Sequence, residues 1–262
     1  MTAPQGPDGW QDPTQGQPYD PTKGQPNNPA PGQPYPAAGG YPPPPPVGAS
    51  PTPPTLDIGA ALSYGWSKYK ANALNWILFA IVAYVVVGVL SSAANGFNYS
   101  NESTTQSIVG TLVSSILSVL VGAAFTRGAL NELDGRAPSF ADFFKWTNLA
   151  NVFLAAILVW VITTIGFALL VIPGLIATFL LWYTIAFVID HNFGAVEGIK
   201  ASYALTSKNV GSLLLLAVVV ILLNIVGALL CGVGLLVTGP VTLIASTYAY
   251  RLLSGGAISP TQ

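Results

Sequence analysis

Charged side chains are scarce in this sequence. Only 7% of its 262 residues are Asp, Glu, Lys or Arg, whereas 52% are hydrophobic. A soluble domain carries about 25% charged residues, because its surface must be solvated. We therefore expect most of the surface of this chain to contact lipid. The formal net charge of −1 also argues against nucleic acid as a partner, since the binding of phosphates requires clustered Lys and Arg.

The residue types that build catalytic and metal sites are almost absent. The chain has one cysteine, Cys231, and one histidine, His191, which excludes an intrachain disulfide and a Cys-based metal site. No charge falls well inside a long apolar run, whereas an intramembrane enzyme needs titratable groups that converge near the bilayer. We therefore predict that the protein is not an enzyme and holds no cofactor and no metal.

Aliphatic residues are nearly missing from residues 1–54, which are rich in Pro, Gln and Gly. Of the 22 prolines, all but four lie there, and a Gly-Gln-Pro triplet recurs at 16–18, 24–26 and 32–34. Such a segment has too little apolar surface to offset its ordering entropy, so we expect a disordered cytoplasmic tail. This composition fits either a docking tail for a partner or a solvating extension without one.

Long uncharged runs dominate the rest of the chain. Residues 73–94 would form a helix of about 33 Å, which is enough to cross a bilayer core, and a second run covers about residues 107–126. Residues 149–189 and 210–250 are each too long for one helix. Breaks at Pro173-Gly174 and at Cys231 to Gly234 would divide them. The sequence thus predicts about six transmembrane helices in three hairpins.

The bounds of the membrane domain and the positions of Lys and Arg predict its orientation. Residues 55–253 form the predicted six-helix domain, and residues 254–262 a short cytoplasmic tail. In this arrangement every Lys and Arg lies on one side, and the opposite loops carry only Glu102. Because positive residues resist translocation, we predict a bacterial plasma-membrane protein with cytoplasmic N and C termini.

A short amphipathic segment precedes each predicted hairpin, at residues 56–69, 139–146 and 193–207. In each segment apolar residues recur at helical spacing beside charged ones, which is typical of a helix in the headgroup layer. We therefore expect an all-α fold in which an interfacial helix and a transmembrane hairpin occur three times.

Candidate contact residues lie at the ends of the predicted spans. Asp190 and His191 end the fourth span, where they indicate a proton relay, a headgroup contact or only a polar helix terminus. Asp134 and Arg136, in the loop after the second span, suit a headgroup-binding cluster, although ordinary turn chemistry also explains them. We take these four residues as the candidate lipid or partner contacts.

Uncharged polar residues lie within the predicted spans, and the candidates are Asn224, Thr163, Ser114 and Ser118. Such side chains let helices approach closely and exchange hydrogen bonds. The alternative is that they line a substrate path, but no ring of charges supplies ion selectivity. We therefore favour helix packing as their role.

The block Val171-Ile172-Pro173-Gly174-Leu175-Ile176, followed by Asp190 and by residues 195–202 before another apolar run, resembles a class of bacterial integral membrane proteins. It is similar to the six-helix membrane domain of membrane glycerophosphodiester phosphodiesterases and to related uncharacterised membrane families. The tail is similar to those of actinobacterial proline- and glycine-rich membrane proteins. Because the chain lacks the hydrolase domain and its metal-binding residues, the resemblance implies an accessory role in the membrane and not phosphodiesterase activity.

Two functional hypotheses follow. The first is a non-enzymatic membrane scaffold or accessory subunit that contacts membrane lipids and recruits a protein partner through residues 1–54. The second is a small transporter or lipid-handling protein that holds its substrate between hairpins, near Asn224, Thr163 and the serines of the second span.

Overall fold

The computed structural model describes residues 55–94 and 104–261, and the regular structure within these ranges is entirely helical. The elements are α1 (Ile58–Ala71), α2 (Ala73–Ala94), α3 (Thr104–Leu133), a 3₁₀ helix (Phe140–Phe144), α4 (Leu149–Leu169), α5 (Val171–Leu180), α6 (Thr184–Asp190), α7 (Ala195–Lys208), α8 (Val210–Leu229) and α9 (Leu235–Ser254). The all-α prediction is confirmed. The predicted disordered tail of residues 1–54 and the loop with Glu102 lie outside the described residues.

Five helical segments of the described chain are long and apolar enough to cross a membrane: Ala73–Ala94, Gly110–Leu133, Leu149–Leu169, Val171–Asp190 and Val210–Leu229. The protein is therefore a multi-pass membrane protein. The sixth predicted span, α9, has the same length as α8 but is less apolar. Half of its residues are buried, including Thr242, Ser246 and Thr247, and it packs against α1, α2, α3 and α8. Since protein surrounds much of α9, it needs fewer lipid-compatible side chains.

The hairpin of α4 and α5 turns at Leu170, not at Pro173-Gly174 as predicted. Leu170 is extended (φ −164°, ψ 159°), and Pro173 lies in the first turn of α5. A proline cannot donate to the carbonyl four residues earlier, and its ring clashes with that carbonyl. Here that carbonyl belongs to Leu169, the last residue of α4. Pro173 thus causes the break, but the chain turns three residues before it.

The predicted break between α8 and α9 is present at residues 230–234. Cys231 and Gly232 there adopt left-handed conformations, with φ values of 55° and 75°. Gly234 lies so close to α8 that a Cβ atom on it would be 2.6 Å from the carbonyl oxygen of Gly227. Glycine at this position therefore permits the tight approach of the two helices.

The fourth span contains a break that the sequence analysis did not predict. Helix α5 ends at Leu180 and α6 begins at Thr184. The buried hydroxyl of Ser202 in α7 donates to the Leu180 carbonyl (2.9 Å) and accepts from the Tyr183 N–H (3.1 Å). A side chain inserted in this way satisfies backbone groups that a broken helix leaves unpaired. The contact also ties α7 to the middle of this span.

The three predicted amphipathic segments correspond to α1, the 3₁₀ helix and α7. The second is only a five-residue 3₁₀ helix, and it buries Phe143 against Phe79 of α2, with ring centroids 4.2 Å apart. Helix α3 ends at Leu133, beyond the predicted end at residue 126. Arg127, which directly follows the predicted run, is therefore inside the candidate span Gly110–Leu133. Arg, Leu and Glu are good helix formers, so the first charge after an apolar run does not end the helix.

Candidate functional site at the charged end of the bundle

Three segments meet at one end of the bundle, which we call the charged end: residues 134–148 between α3 and α4, residues 191–194 between α6 and α7, and residues 255–261 after α9. The Asn148 amide donates to the Phe193 carbonyl (2.9 Å), and the Ser259 N–H donates to the Leu133 carbonyl (2.8 Å). The described Lys and Arg residues lie in α1, in α7, in these segments or in the last two turns of α3 and α9. The two described turns at the opposite end, at 170 and 230–234, carry no charge.

Arg251, in the last turn of α9, is the centre of the site. Its Nη2 atom lies 3.0 Å from Asp134 Oδ1 and 2.6 Å from Asp190 Oδ1. Its Nη1 atom donates to the Ala257 carbonyl at 3.1 Å. The side chains of Arg251 and Asp190 are only 10% and 12% exposed. Such burial of charge is tolerated because the groups are paired and hydrogen-bonded.

A second set of contacts links Asp190 to the surface. The buried Tyr250 hydroxyl donates to Asp190 Oδ2 at 2.9 Å, and His191 Nδ1 lies 2.9 Å from the same hydroxyl. Since the single phenolic proton points to Asp190, we infer that His191 Nδ1 carries a hydrogen and donates to the phenol oxygen. The side chain of His191 is 40% exposed. The chain of three groups thus joins an exposed imidazole to a buried carboxylate.

The structure brings together the four predicted contact residues. Asp134, Asp190 and His191 surround the end of α9, and Arg136 Nη2 lies 2.8 Å from Asp134 Oδ2 with its own side chain 70% exposed. Two carboxylates and two guanidinium groups balance each other. Sequence analysis missed Arg251 as the residue that joins them. A cation after the last span is already explained by membrane orientation, so no sequence signal marked it.

A second polar network lies beside this site, under the C-terminal segment. Glu132 is 3% exposed, and its Oε1 atom accepts from Trp76 Nε1 (3.0 Å) and Asn72 Nδ2 (3.2 Å). The Ser259 hydroxyl donates to the Glu132 carbonyl at 3.0 Å and accepts from Lys68 Nζ at 3.0 Å. We predicted residues 254–262 to be a short tail, and Ser259, in the described part of this segment, packs on the bundle. The sequence analysis singled out neither Glu132 nor Ser259.

Electrostatic effects outside the spans are local. The Lys145 ammonium, 2.7 Å from Asp142 Oδ1, and the hydroxyl and amide of Ser139 hold the pKa of the Asp142 carboxyl well below its ordinary value. Burial raises the pKa of the Tyr64 phenol, and its contact with the Ser259 hydroxyl (3.2 Å) opposes this effect. These shifts accompany contacts that fix the 3₁₀ helix and the C-terminal segment.

The four polar residues predicted within the spans do not converge on one path. Asn224 of α8 donates to Thr242 Oγ1 (3.0 Å) and accepts from Thr238 Oγ1 (3.1 Å), both on α9. Ser114 lies 2.9 Å from the Ser91 hydroxyl of α2. Thr163 donates within its own helix, to the Val159 carbonyl, and Ser118 is exposed. Two of the four therefore join neighbouring helices.

In the described part of the chain, no group of three or more His, Cys, Asp or Glu residues is placed to hold a metal ion. Cys231 is exposed in the turn between α8 and α9. What the charged end offers is a set of mutually paired groups that hold three loops and a helix end together.

Similar sequences occur in mycobacteria. The chain is 29% identical over 226 residues to "Uncharacterized protein Rv2560" of Mycobacterium tuberculosis, a match that covers 77% of this chain and 70% of the relative. The "Uncharacterized protein Mb2590" of Mycobacterium bovis matches with the same identity and coverage. No family model and no solved structure matches the chain. These relatives are actinobacterial, in agreement with that part of the resemblance, and their names assign no activity.

Proposed function

We propose that this protein is a non-enzymatic membrane scaffold or accessory subunit, which recruits a cytoplasmic partner through residues 1–54. The observation that supports this proposal is the use of polar groups within the bundle. Arg251 pairs with Asp134 and Asp190, and Asn224 joins α8 to α9. These polar groups, which an enzyme or a transporter could direct at a substrate, instead hold the bundle together.

The proposed location is the plasma membrane of a bacterium, with both termini in the cytoplasm. The concentration of Lys and Arg at the charged end, and the uncharged turns at 170 and 230–234, support this orientation through the positive-inside rule. Residues 1–54 would then extend from the cytoplasmic face, where a soluble or membrane partner is accessible. Membrane lipids are the other proposed partners, and nucleic acid is not one.

The resemblance to the membrane domain of glycerophosphodiester phosphodiesterases belongs to the same proposal. It supports an accessory role, because in those proteins the activity belongs to a separate hydrolase domain and not to the membrane domain. The pairing of Arg251 with two carboxylates agrees with a membrane domain that positions other components.

Co-purification tests the recruitment role. We would compare the full chain with a deletion of residues 1–54, both purified from native membranes in mild detergent and read by mass spectrometry. The deletion keeps Asp57, whose carboxylate caps α1 by accepting from the Ala60 N–H at 2.8 Å, so the bundle retains its first helix. We expect a stoichiometric partner with the full chain and its loss with the deletion. A partner that stays bound to the truncated chain, or no partner with either, would contradict recruitment by the tail.

A second candidate, lipid handling, is favoured by apolar clefts on the bundle surface. One cleft of about 350 Å³ lies between α4, α5 and α7 and is bordered by Ile162, Pro173 and Tyr203. Clefts of this kind suit acyl chains, because their walls offer no partner for water. Lipid that remains bound through purification would support this candidate, and a chain that purifies free of lipid would argue against it.

A further inference from the structure

An apolar cleft lies between α2, α3 and the residues that follow the 3₁₀ helix, and we call it the α2–α3 cleft. It has a volume of about 130 Å³, and its wall includes Val82, Val86, Leu117, Leu120, Ala124 and Trp146. Val82 and Val86 are 40% and 43% exposed, so the cleft is open on the lipid-facing side of α2. Apolar cavities of about 150 Å³ stay dry and accept small hydrocarbons. The space therefore suits a hydrocarbon chain and not water.

Arg127 extends the cleft-facing row of α3. Leu117, Leu120, Ala124 and Arg127 follow at intervals of three, four and three residues, which places them along one side of a helix. Arg127 lies six residues before the end of α3 at Leu133, or about 9 Å along the axis. Its long side chain can therefore reach the headgroup layer while its Cα atom remains in the span.

Arg127 has no partner within the described residues. It forms no ion pair and no side-chain hydrogen bond there, its side chain is partly buried, and its Nε atom is buried without a hydrogen-bond partner. The indole N–H of Trp146, at the wall of the cleft, is likewise buried and unpaired. The Nε atom of Arg251 is also buried without a hydrogen-bond partner, but its Nη2 atom contacts two carboxylates. An arginine inside a membrane span requires an anionic or hydrogen-bonding partner, and here the described chain supplies none.

We propose that the α2–α3 cleft and Arg127 together bind an anionic phospholipid. A segment of one acyl chain occupies the apolar cleft, and the phosphate group accepts hydrogen bonds from the Arg127 guanidinium, whose planar fork matches phosphate oxygens. A net negative headgroup is preferred because the zwitterionic alternative carries its own compensating cation. The site does not depend on residues 1–54 or on a protein partner.

Lipid binding to the purified full chain tests this proposal. Native mass spectrometry in mild detergent would titrate phosphatidylglycerol and, separately, phosphatidylcholine onto the wild type and its variants. We expect one site that prefers phosphatidylglycerol, and about tenfold weaker binding in Arg127→Gln, because a charge-assisted hydrogen bond is lost. Val86→Phe, which fills the cleft, should weaken binding by a similar factor. Arg127→Lys should retain part of the affinity, since it keeps the charge but not the fork.

Two matched controls separate a specific site from general effects. Lys200→Gln removes an exposed cation of α7 at the same end of the bundle, and Val85→Phe adds the same ring to α2 outside the cleft; neither should change the affinity. Each variant would be checked for an unchanged thermal midpoint without lipid, and Val86 is exposed enough for its variant to fold. Wild-type affinity in Arg127→Gln, equal loss in Val85→Phe and Val86→Phe, or equal binding of the two lipids would each overturn the proposal.

Discussion

The ion pair between Arg251 and Asp190 should be one of the largest polar contributions to stability at the charged end. Both side chains are nearly buried, and their Nη2 and Oδ1 atoms are 2.6 Å apart. Removal of one member of a buried pair costs about 3–5 kcal/mol, because the other charge stays buried without its partner. We expect the cost of Arg251→Gln to lie in this range, since it leaves Asp190 without its guanidinium partner while Asp134 keeps Arg136.

Asp134 supplies the internal control for this prediction. It contacts the same guanidinium at 3.0 Å, but its side chain is 30% exposed, so water compensates for much of its loss. We expect Asp134→Asn to cost about 1 kcal/mol and Asp190→Asn about 3 kcal/mol. The conservative asparagine keeps the size of each side chain, which isolates the effect of charge.

Unfolding in mixed micelles, with an SDS titration followed by tryptophan fluorescence, would measure these differences. A double-mutant cycle of Arg251→Gln and Asp190→Asn should give a coupling energy of about 2 kcal/mol. Equal losses for Asp134→Asn and Asp190→Asn, or a coupling energy below about 0.5 kcal/mol, would refute the argument that burial makes this pair strong.

Three further predictions concern the opposite end and the helix contacts. A membrane-impermeant maleimide added to intact cells should label the exposed Cys231. A cysteine introduced as Arg136→Cys, in a Cys231→Ser background, should react only after the cells are permeabilised. The reverse labelling pattern would mean that the orientation is inverted. Ser202→Ala should destabilise the protein by about 1–3 kcal/mol, because it leaves backbone groups in the break of the fourth span unpaired. Ser207 is exposed, so Ser207→Ala should have little effect when both variants are compared by thermal unfolding. Asn224→Leu should cost about 1 kcal/mol of stability through its lost contact with α9; no measurable change would show that this contact does not hold the helices.

Uncharged runs and positive charge were sufficient to predict most of the helical architecture. A span must be apolar over its full length, so residues 73–94 predicted α2 with both of its boundaries. The same argument was wrong about the end of α3, because Arg127 and Glu132 continue the helix. Glu132 is accommodated there by donors from Trp76 of α2 and from Asn72, the residue between α1 and α2. Sequence patterns along α3 alone do not contain this information.

The candidate site was predictable only in part, for a similar reason. Asp190 and Asp134 were visible as charges at the ends of apolar runs, but they are 56 positions apart in the chain. They come together because α9 places Arg251 between them, where it contacts both. A pairwise contact of this kind follows from the arrangement of helices in space, which the periodicity of any one helix does not specify. The break at residues 181–183 escaped prediction likewise, since its stabilising partner, Ser202, lies on α7.

The two arginines near the charged end differ in what balances their charge, and this difference has a measurable consequence. Arg251 has its counter-ions within the chain, so the stability lost in Arg251→Gln should be the same in any lipid. Arg127 lacks a partner in the described chain, so a bound anionic lipid should stabilise the folded protein through it, by mass action. Phosphatidylglycerol should therefore raise the thermal midpoint of the wild type and of Arg251→Gln by equal amounts, and should raise that of Arg127→Gln much less. An equal rise in all three proteins would mean that the lipid acts on the bundle as a whole and not through Arg127.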